Sequence, residues 1–139
     1  MERIAACQMT SRETGALYRD SIAWQKSMEL TALVYKLTGT FPSEERFGLT
    51  NQLRRASVSI PSNIAEGKGR ISTGELIQFL GVARGSVLEV QTQLEIAVML
   101  GFGEETEINR AHALASDVLR ILNASLATMR GKLTAKRQR

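Results

Sequence analysis

Between Leu76 and Ala97 the chain repeats one apolar pattern without a fault. Leu76, Leu80, Ala83, Val87, Val90, Leu94 and Ala97 alternate spacings of four and three. At 3.6 residues per turn those positions share one face, so the segment reads as an amphipathic helix. Ser72, with Glu75 three residues on, supplies a capping-box start, and Gly101 supplies a stop. About 29 residues of helix span ~43 Å at the usual rise. A seam that long needs other long helices to cover it.

Three further segments offer them. The first runs from about Ser21 to Thr38, capped by Asp20 or Ser21 and ended by Gly39 and Pro42. Leu30, Leu33, Val34 and Leu37 form its seam, with Trp24, Met28 and Tyr35 beside it. The second starts near Ser43 or Gly48 and ends at about Ala65, with Leu49, Leu53, Ala56, Ile60 and Ile64 in register. Pro61 lies inside it, removing the amide that would bond the Ser57 carbonyl. A kink rather than a break is predicted, because the seam continues past it; the hydroxyls of Ser57, Ser59 and Ser62 are at hand as local partners. The last begins near Glu104, carries Ile108, Ala111, Ala115, Val118, Leu122, Ser125 and Met129, and frays into a basic end.

Only 5% of residues are aromatic, two are proline, and no period-two run is long enough for a strand. The fold class is therefore all-α. Short glycine-containing connections favour an antiparallel up-down-up-down four-helix bundle. The expected division is a flexible segment over residues 1–19, the bundle over 20–132 and a basic tail over 133–139.

Charge is distributed unevenly. Arg130, Lys132, Lys136, Arg137 and Arg139 put +5 on the last ten residues, against a net +4 for the whole chain. From Arg46 to Arg84 six basic residues face two acids; from Gly85 to Met129 two basic residues face six acids. Such a molecule presents a basic and an acidic side, suited to nucleic acid or to self-association, unless these are simply solvated helix faces. Cys7 is the only cysteine, so no internal disulfide forms, which fits a reducing cytoplasm. No apolar run is long enough for a signal-peptide core or a membrane span. A cytoplasmic protein without a membrane partner is expected.

Catalytic chemistry finds little support. His112 is the lone histidine, and no metal-ligand, Cys–His or Ser–His–Asp spacing is present. No cofactor is expected. Gly67-Lys68-Gly69-Arg70 reads first as a helix end and turn, and second as an anion contact, because it lacks the spacing of a phosphate loop. A polar stripe is more informative: Gln52, Arg55, Ser59, Ser62 and Glu66 alternate three and four along the second helix. Arg84, Gly85, Ser86 and Glu89 interrupt the apolar surface of the third. Arg55 is expected to reach Glu89, with Ser59 and Ser86 at the close approach. Arg55, Ser59, Asn63, Glu66, Ser86 and Glu89 are thus candidates for a polar network that fixes register. Arg54, Arg55, Lys68, Arg70, Arg84, Arg130, Lys132, Lys136, Arg137 and Arg139 are candidates for phosphate contacts, which carry affinity and salt dependence rather than sequence preference.

Three blocks carry a family resemblance: WQKSMELTALVYKLT, FPSEERFGLTNQLRRASVSIPSNIAEGKGR and FLGVARGSVLEVQTQLEIAVMLG. They resemble the signature blocks of the bacterial four-helix bundle proteins called the 23S rRNA intervening-sequence family, over roughly Tyr18 to Met129. The segment up to about Leu17 departs from that pattern and is read as an extension or a misplaced start. Arg54, Arg55, Asn63, Glu66, Gly67, Arg84, Gly85, Ser86 and Glu89 fall on the signature positions. The resemblance implies an antiparallel four-helix bundle assembled as a homopentamer. A related branch, the accessory variability protein of diversity-generating retroelements, implies a protein partner such as a reverse transcriptase, and nucleic acid bound through basic surfaces. The expected function is a non-enzymatic homo-oligomer that binds RNA or DNA. The alternative is an oligomeric scaffold whose basic and acidic surfaces meet each other or a protein partner.

Overall fold

The computed structural model describes residues 18–139. Cys7 and the segment expected to be flexible up to residue 17 lie outside them. Four helices follow one another: α1, Ile22–Thr38; α2, Leu49–Lys68; α3, Thr73–Leu100; and α4, Glu105–Arg137. Short 3-10 turns at Tyr18–Asp20 and Ser43–Glu45 precede α1 and α2. No strand occurs among the described residues. None of these helices is long and apolar enough to cross a membrane.

Local chemistry sets the ends. Ser21 Oγ accepts from the Trp24 amide at 3.3 Å, and Ser72 Oγ accepts from the Glu75 amide at 3.2 Å. Both are side-chain N-caps of the kind the sequence announces. α2 is capped differently. The Glu45 carboxylate, one turn upstream, accepts from the Leu49 amide at 2.9 Å, so the helix opens at Leu49 rather than at Ser43. Gly101 ends α3 at φ 72°, a left-handed conformation that glycine adopts without a Cβ clash.

The helices pack as a square. α1 meets α2 and α4, α3 meets α2 and α4, and the diagonal pairs stay apart. Cross-helix contacts give the directions. Thr31 reaches Ser57 while Thr38 reaches Arg54; Ser86 reaches Ser59 while Gln93 reaches Gln52; Arg84 reaches Asn123 while Gln91 reaches Ser116. In each pair one number rises as the other falls, so successive helices are antiparallel. Leu30, Val34, Leu53, Ile60, Ile64, Val87, Val90, Leu94, Val118 and Leu122 fill the centre and are almost wholly buried. Each such side chain contributes roughly 1.5–3 kcal/mol by leaving water.

Several expectations need correction. Met28 and Tyr35 are exposed rather than packed beside the α1 seam; Ala23 and Ser27 take the buried places. On α4 the buried residue after Leu122 is Leu126, and Ser125 and Met129 are half-buried. α4 does not fray at residue 132. It continues through the expected tail to Arg137, with half-buried Leu133 extending its apolar side. Lys136 and Arg137 in the last turn suit the negative end of the helix dipole.

α2 runs unbroken through buried Pro61. The partner for the carbonyl that Pro61 leaves without an amide comes from another helix. Thr31 Oγ1 on α1 lies 3.0 Å from the Ser57 oxygen and 2.8 Å from the Ser27 oxygen of its own helix. Its single proton is shared between them. Ser57 and Ser62 bond instead to the Arg54 and Val58 carbonyls.

Candidate functional site

The basic candidates divide into groups that the sequence does not separate. Arg54 is spent inside the bundle. Its Nε donates to Thr38 Oγ1 at 2.9 Å, a terminal nitrogen sits 3.4 Å from the Tyr35 carbonyl, and the guanidinium lies 4.7 Å above the Tyr35 ring. There it caps the carboxyl end of α1, where a cation is favoured. Arg70 is held at the α2–α3 turn, 2.8 Å from Glu66 Oε1, 3.8 Å from Glu75 Oε2 and 4.7 Å from the centre of the Phe79 ring. That turn is tight because α2 and α3 close together at Gly67, where a Cβ would come within 2.8 Å of Phe79 Cβ. Lys68 beside it is exposed, with no acidic partner among the described residues.

Arg84 belongs to the other side of α3. Its Nε donates to Asn123 Oδ1 on α4 at 2.6 Å, which orients the guanidinium and leaves its terminal nitrogens free. Arg130, two turns further along α4, lines the same groove of about 420 Å³ with Gly81, Asn123, Leu126 and Ala127. No acid lines it. The register that pairs Arg84 with Asn123 and Gln91 with Ser116 carries Lys132 to the level of the first turn of α3, and Lys136 and Arg137 to the level of the turn before it. Lys68 and Arg70 occupy the same end of the bundle, whereas Arg54 and Arg55 sit towards the opposite end of α2. Arg84 and Arg130 thus share one groove with no acid in its lining, and Lys132, Lys136, Arg137, Arg139 and Lys68 lie towards the same end of the bundle, where Glu66 and Glu75 both face Arg70. Asn123 was missed from sequence, because nothing in its spacing announces a partner 39 positions away.

The polar network forms in part. Ser86 Oγ and Ser59 Oγ are 2.9 Å apart between α3 and α2, and Asn63 Nδ2 donates to Ser59 Oγ at 3.0 Å and to the Ser59 carbonyl at 2.7 Å. Gln93 Nε2 approaches Gln52 Oε1 at 3.5 Å. Two expected members stand apart. Glu66 turns to Arg70, and Arg55 and Glu89 form no ion pair with each other. They line a groove between α2 and α3 whose width the two serines and two glutamines set, and the charged ends face solvent across it.

α3 also bears a second stripe, outside the core. Gly81, Gly85, Leu88, Thr92, Ile96 and Met99 follow one another at spacings of three or four on its outer face. Leu88 and Ile96 are 39% exposed and Met99 84%, and no atom lies within 4 Å of a Cβ built on either glycine. His112 sits 3.7 Å from Glu95, with 38% of its side chain exposed. Among the described residues, no group of three or more His, Cys, Asp or Glu side chains is placed to hold a metal.

The comparisons with known proteins agree with the fold. No curated protein matches the chain. A solved structure described as a protein of unknown function from the S23 ribosomal protein family of Bacteroides thetaiotaomicron superposes with a TM-score of 0.69 at 19% identity. That match covers 76% of this chain and 98% of the other. The family described as 23S rRNA-intervening sequence protein matches residues 19–124, from the turn before α1 into the second half of α4. The chain belongs to the 23S rRNA-intervening sequence protein family.

Proposed function

We propose that this protein is a non-enzymatic homo-oligomeric bundle that binds RNA or another nucleic acid electrostatically through the α3–α4 face and the carboxyl end of α4. The observation that carries the reading is the pairing of Arg84 and Arg130 in one groove with no acid in its lining, with Lys132, Lys136, Arg137 and Arg139 exposed further along the same chain end. A row of cations on a rigid helix neutralises phosphates at fixed positions and gives affinity without base readout. The family's description, with its reference to 23S rRNA, is consistent with a nucleic-acid setting. Arg54, Arg55 and Arg70 are secondary in this scheme, two of them being engaged within the subunit.

Self-association is assigned to the outer face of α3. A helix that is apolar all round is normally buried, and a helix-interior glycine costs about 0.5–1 kcal/mol relative to alanine. Nothing in the subunit packs against a Cβ at Gly81 or Gly85, which supports close approach by another chain at Gly85 and beside Gly81, at the border of the Arg84–Arg130 groove. A scaffold for a protein partner such as a reverse transcriptase is the second reading, favoured by the same exposed stripe.

The test is fluorescence anisotropy with a structured RNA across a salt series. Binding that weakens steeply with salt, and is lost in an Arg84→Glu/Arg130→Glu variant of unchanged helicity, is the expected result. No binding even at low salt would remove the reading and leave the scaffold.

A further inference from the structure

We propose that the groove between α2 and α3 is a binding site for a small zwitterion of the amino-acid class, a molecule carrying one anionic and one ammonium group. This goes beyond the nucleic-acid reading and does not depend on it; the groove lies on a different face from Arg84 and Arg130.

Four features of the groove carry the inference. Its space, about 310 Å³, suits a molecule of amino-acid size. Arg55 comes from one wall and Glu89 from the other, and neither has an ion-pair partner among the described residues. Opposite charges that face one groove without meeting leave room for a ligand bearing both complements: a carboxylate for the Arg55 guanidinium and an ammonium for the Glu89 carboxylate. Charge-assisted hydrogen bonds of this kind are the strong ones.

The third feature is the floor. Ser59 and Ser86 share one hydrogen bond between two hydroxyls. Two hydroxyls carry two protons, so one O–H remains for an incoming acceptor. Asn63 fills another lone pair of Ser59 from below and holds it in place.

The fourth is Gln93, which lines the groove with only 8% of its surface exposed. Its Nε2 is directed at Gln52, while its Oε1 is buried with no hydrogen-bond partner. Turning the amide over would leave an unpaired N–H in the same place. Either way one polar atom of Gln93 lacks a partner, an arrangement that folded proteins rarely keep without a use. A rotation of the Gln93 amide towards the groove would present its oxygen to a ligand ammonium or amide. The bland alternative, a register-fixing network alone, would be expected to join Arg55 to Glu89, and they are not joined.

The experiment is calorimetric titration of the full chain with glycine, β-alanine, γ-aminobutyrate and 6-aminohexanoate, a series of increasing charge separation. Acetate and propylamine serve as single-charge controls. One member of the series should bind best, reporting the span from Arg55 to Glu89, and the controls should not bind. Arg55→Gln and Glu89→Gln should each weaken binding at least about tenfold, the scale of one charged hydrogen bond. The swap of Arg55→Glu with Glu89→Arg should recover part of it, because a zwitterion can enter reversed while giving up the contacts fixed by Gln93 and the serine hydroxyls. Circular dichroism and solution mass, measured on every variant, separate loss of ligand from loss of fold or assembly. The proposal is overturned if no zwitterion binds at millimolar concentration. It is equally overturned if the swap fails to recover binding in a folded variant, or if the single substitutions change oligomer mass instead of ligand affinity.

Discussion

Pro61 is tolerated because a neighbour answers for it. The Ser57 carbonyl would normally accept from the residue at position 61, and in its place Thr31 of α1 approaches at 3.0 Å. Ser57 is wholly buried, so water is excluded as a substitute. Thr31→Val keeps the shape and removes the donor. It should cost about 1–3 kcal/mol, the penalty for a buried acceptor left unpaired, read from urea denaturation. In a Pro61→Ala background the carbonyl regains an amide, and the same substitution should cost clearly less. A double-mutant cycle with no coupling between the two positions would refute this account. Arg54 acts at the same scale. Its side chain joins Thr38 and the Tyr35 carbonyl at the end of α1, so Arg54→Gln should lose roughly 1 kcal/mol of stability, as for other favourable groups at helix ends, and should change nucleic-acid binding little. None of these pairings is legible in spacing. Each joins residues on different helices, and heptad seams fix which faces meet but leave the axial offset open.

Among the elements, α3 is asked to satisfy two surfaces. Its inner seam, Leu80 to Ala97, is buried throughout and was readable from the sequence. Leu94→Ala should accordingly cost about 2–5 kcal/mol in unfolding free energy. The outer stripe was also present in the sequence, but the inner pattern masked it. Where apolar residues occur on both sides, periodicity alone cannot say which side is covered. The two faces respond differently to substitution. Gly81→Ala and Gly85→Ala should each stabilise an isolated subunit by about 0.5–1 kcal/mol, since nothing in the subunit opposes the added methyl. The same changes should weaken assembly if another chain packs against α3. Ile96→Glu and Met99→Glu should lower the mass seen by light scattering while leaving helicity intact. An unchanged mass with all four substitutions would place any interface elsewhere. α4 shows a different limit of sequence reading. The run of cations after Met129 resembles a solvated tail by composition, yet Leu133 and the favourable dipole end keep it helical to Arg137.

For the whole molecule the question is how its charge is used. The net +4 is small, and Arg70 is partly neutralised by Glu66 and Glu75. What remains is concentrated at one end, on α4 and beside Arg84. A rigid helix presents Arg130, Lys132, Lys136 and Arg137 over about two turns, so only some of them can face a single phosphate backbone at once. Each phosphate contact that forms releases counterions and adds about 0.9 to the salt slope on duplex, or about 0.7 on single strands. Reversing Arg84 and Arg130 should therefore lower the slope by one to two contacts, whereas reversing Arg54 should leave it unaltered. Under the proposed assembly the effect would multiply: an oligomer would display the basic end once per subunit, and a nucleic acid long enough to touch two of them would gain through effective concentration rather than through new contacts. Affinity for RNA should then rise with RNA length more steeply in the wild type than in Ile96→Glu, with the difference vanishing for oligonucleotides too short to bridge two subunits. Equal length dependence in the two proteins, measured at one salt concentration, would separate binding from assembly and leave the outer face of α3 without a part in it.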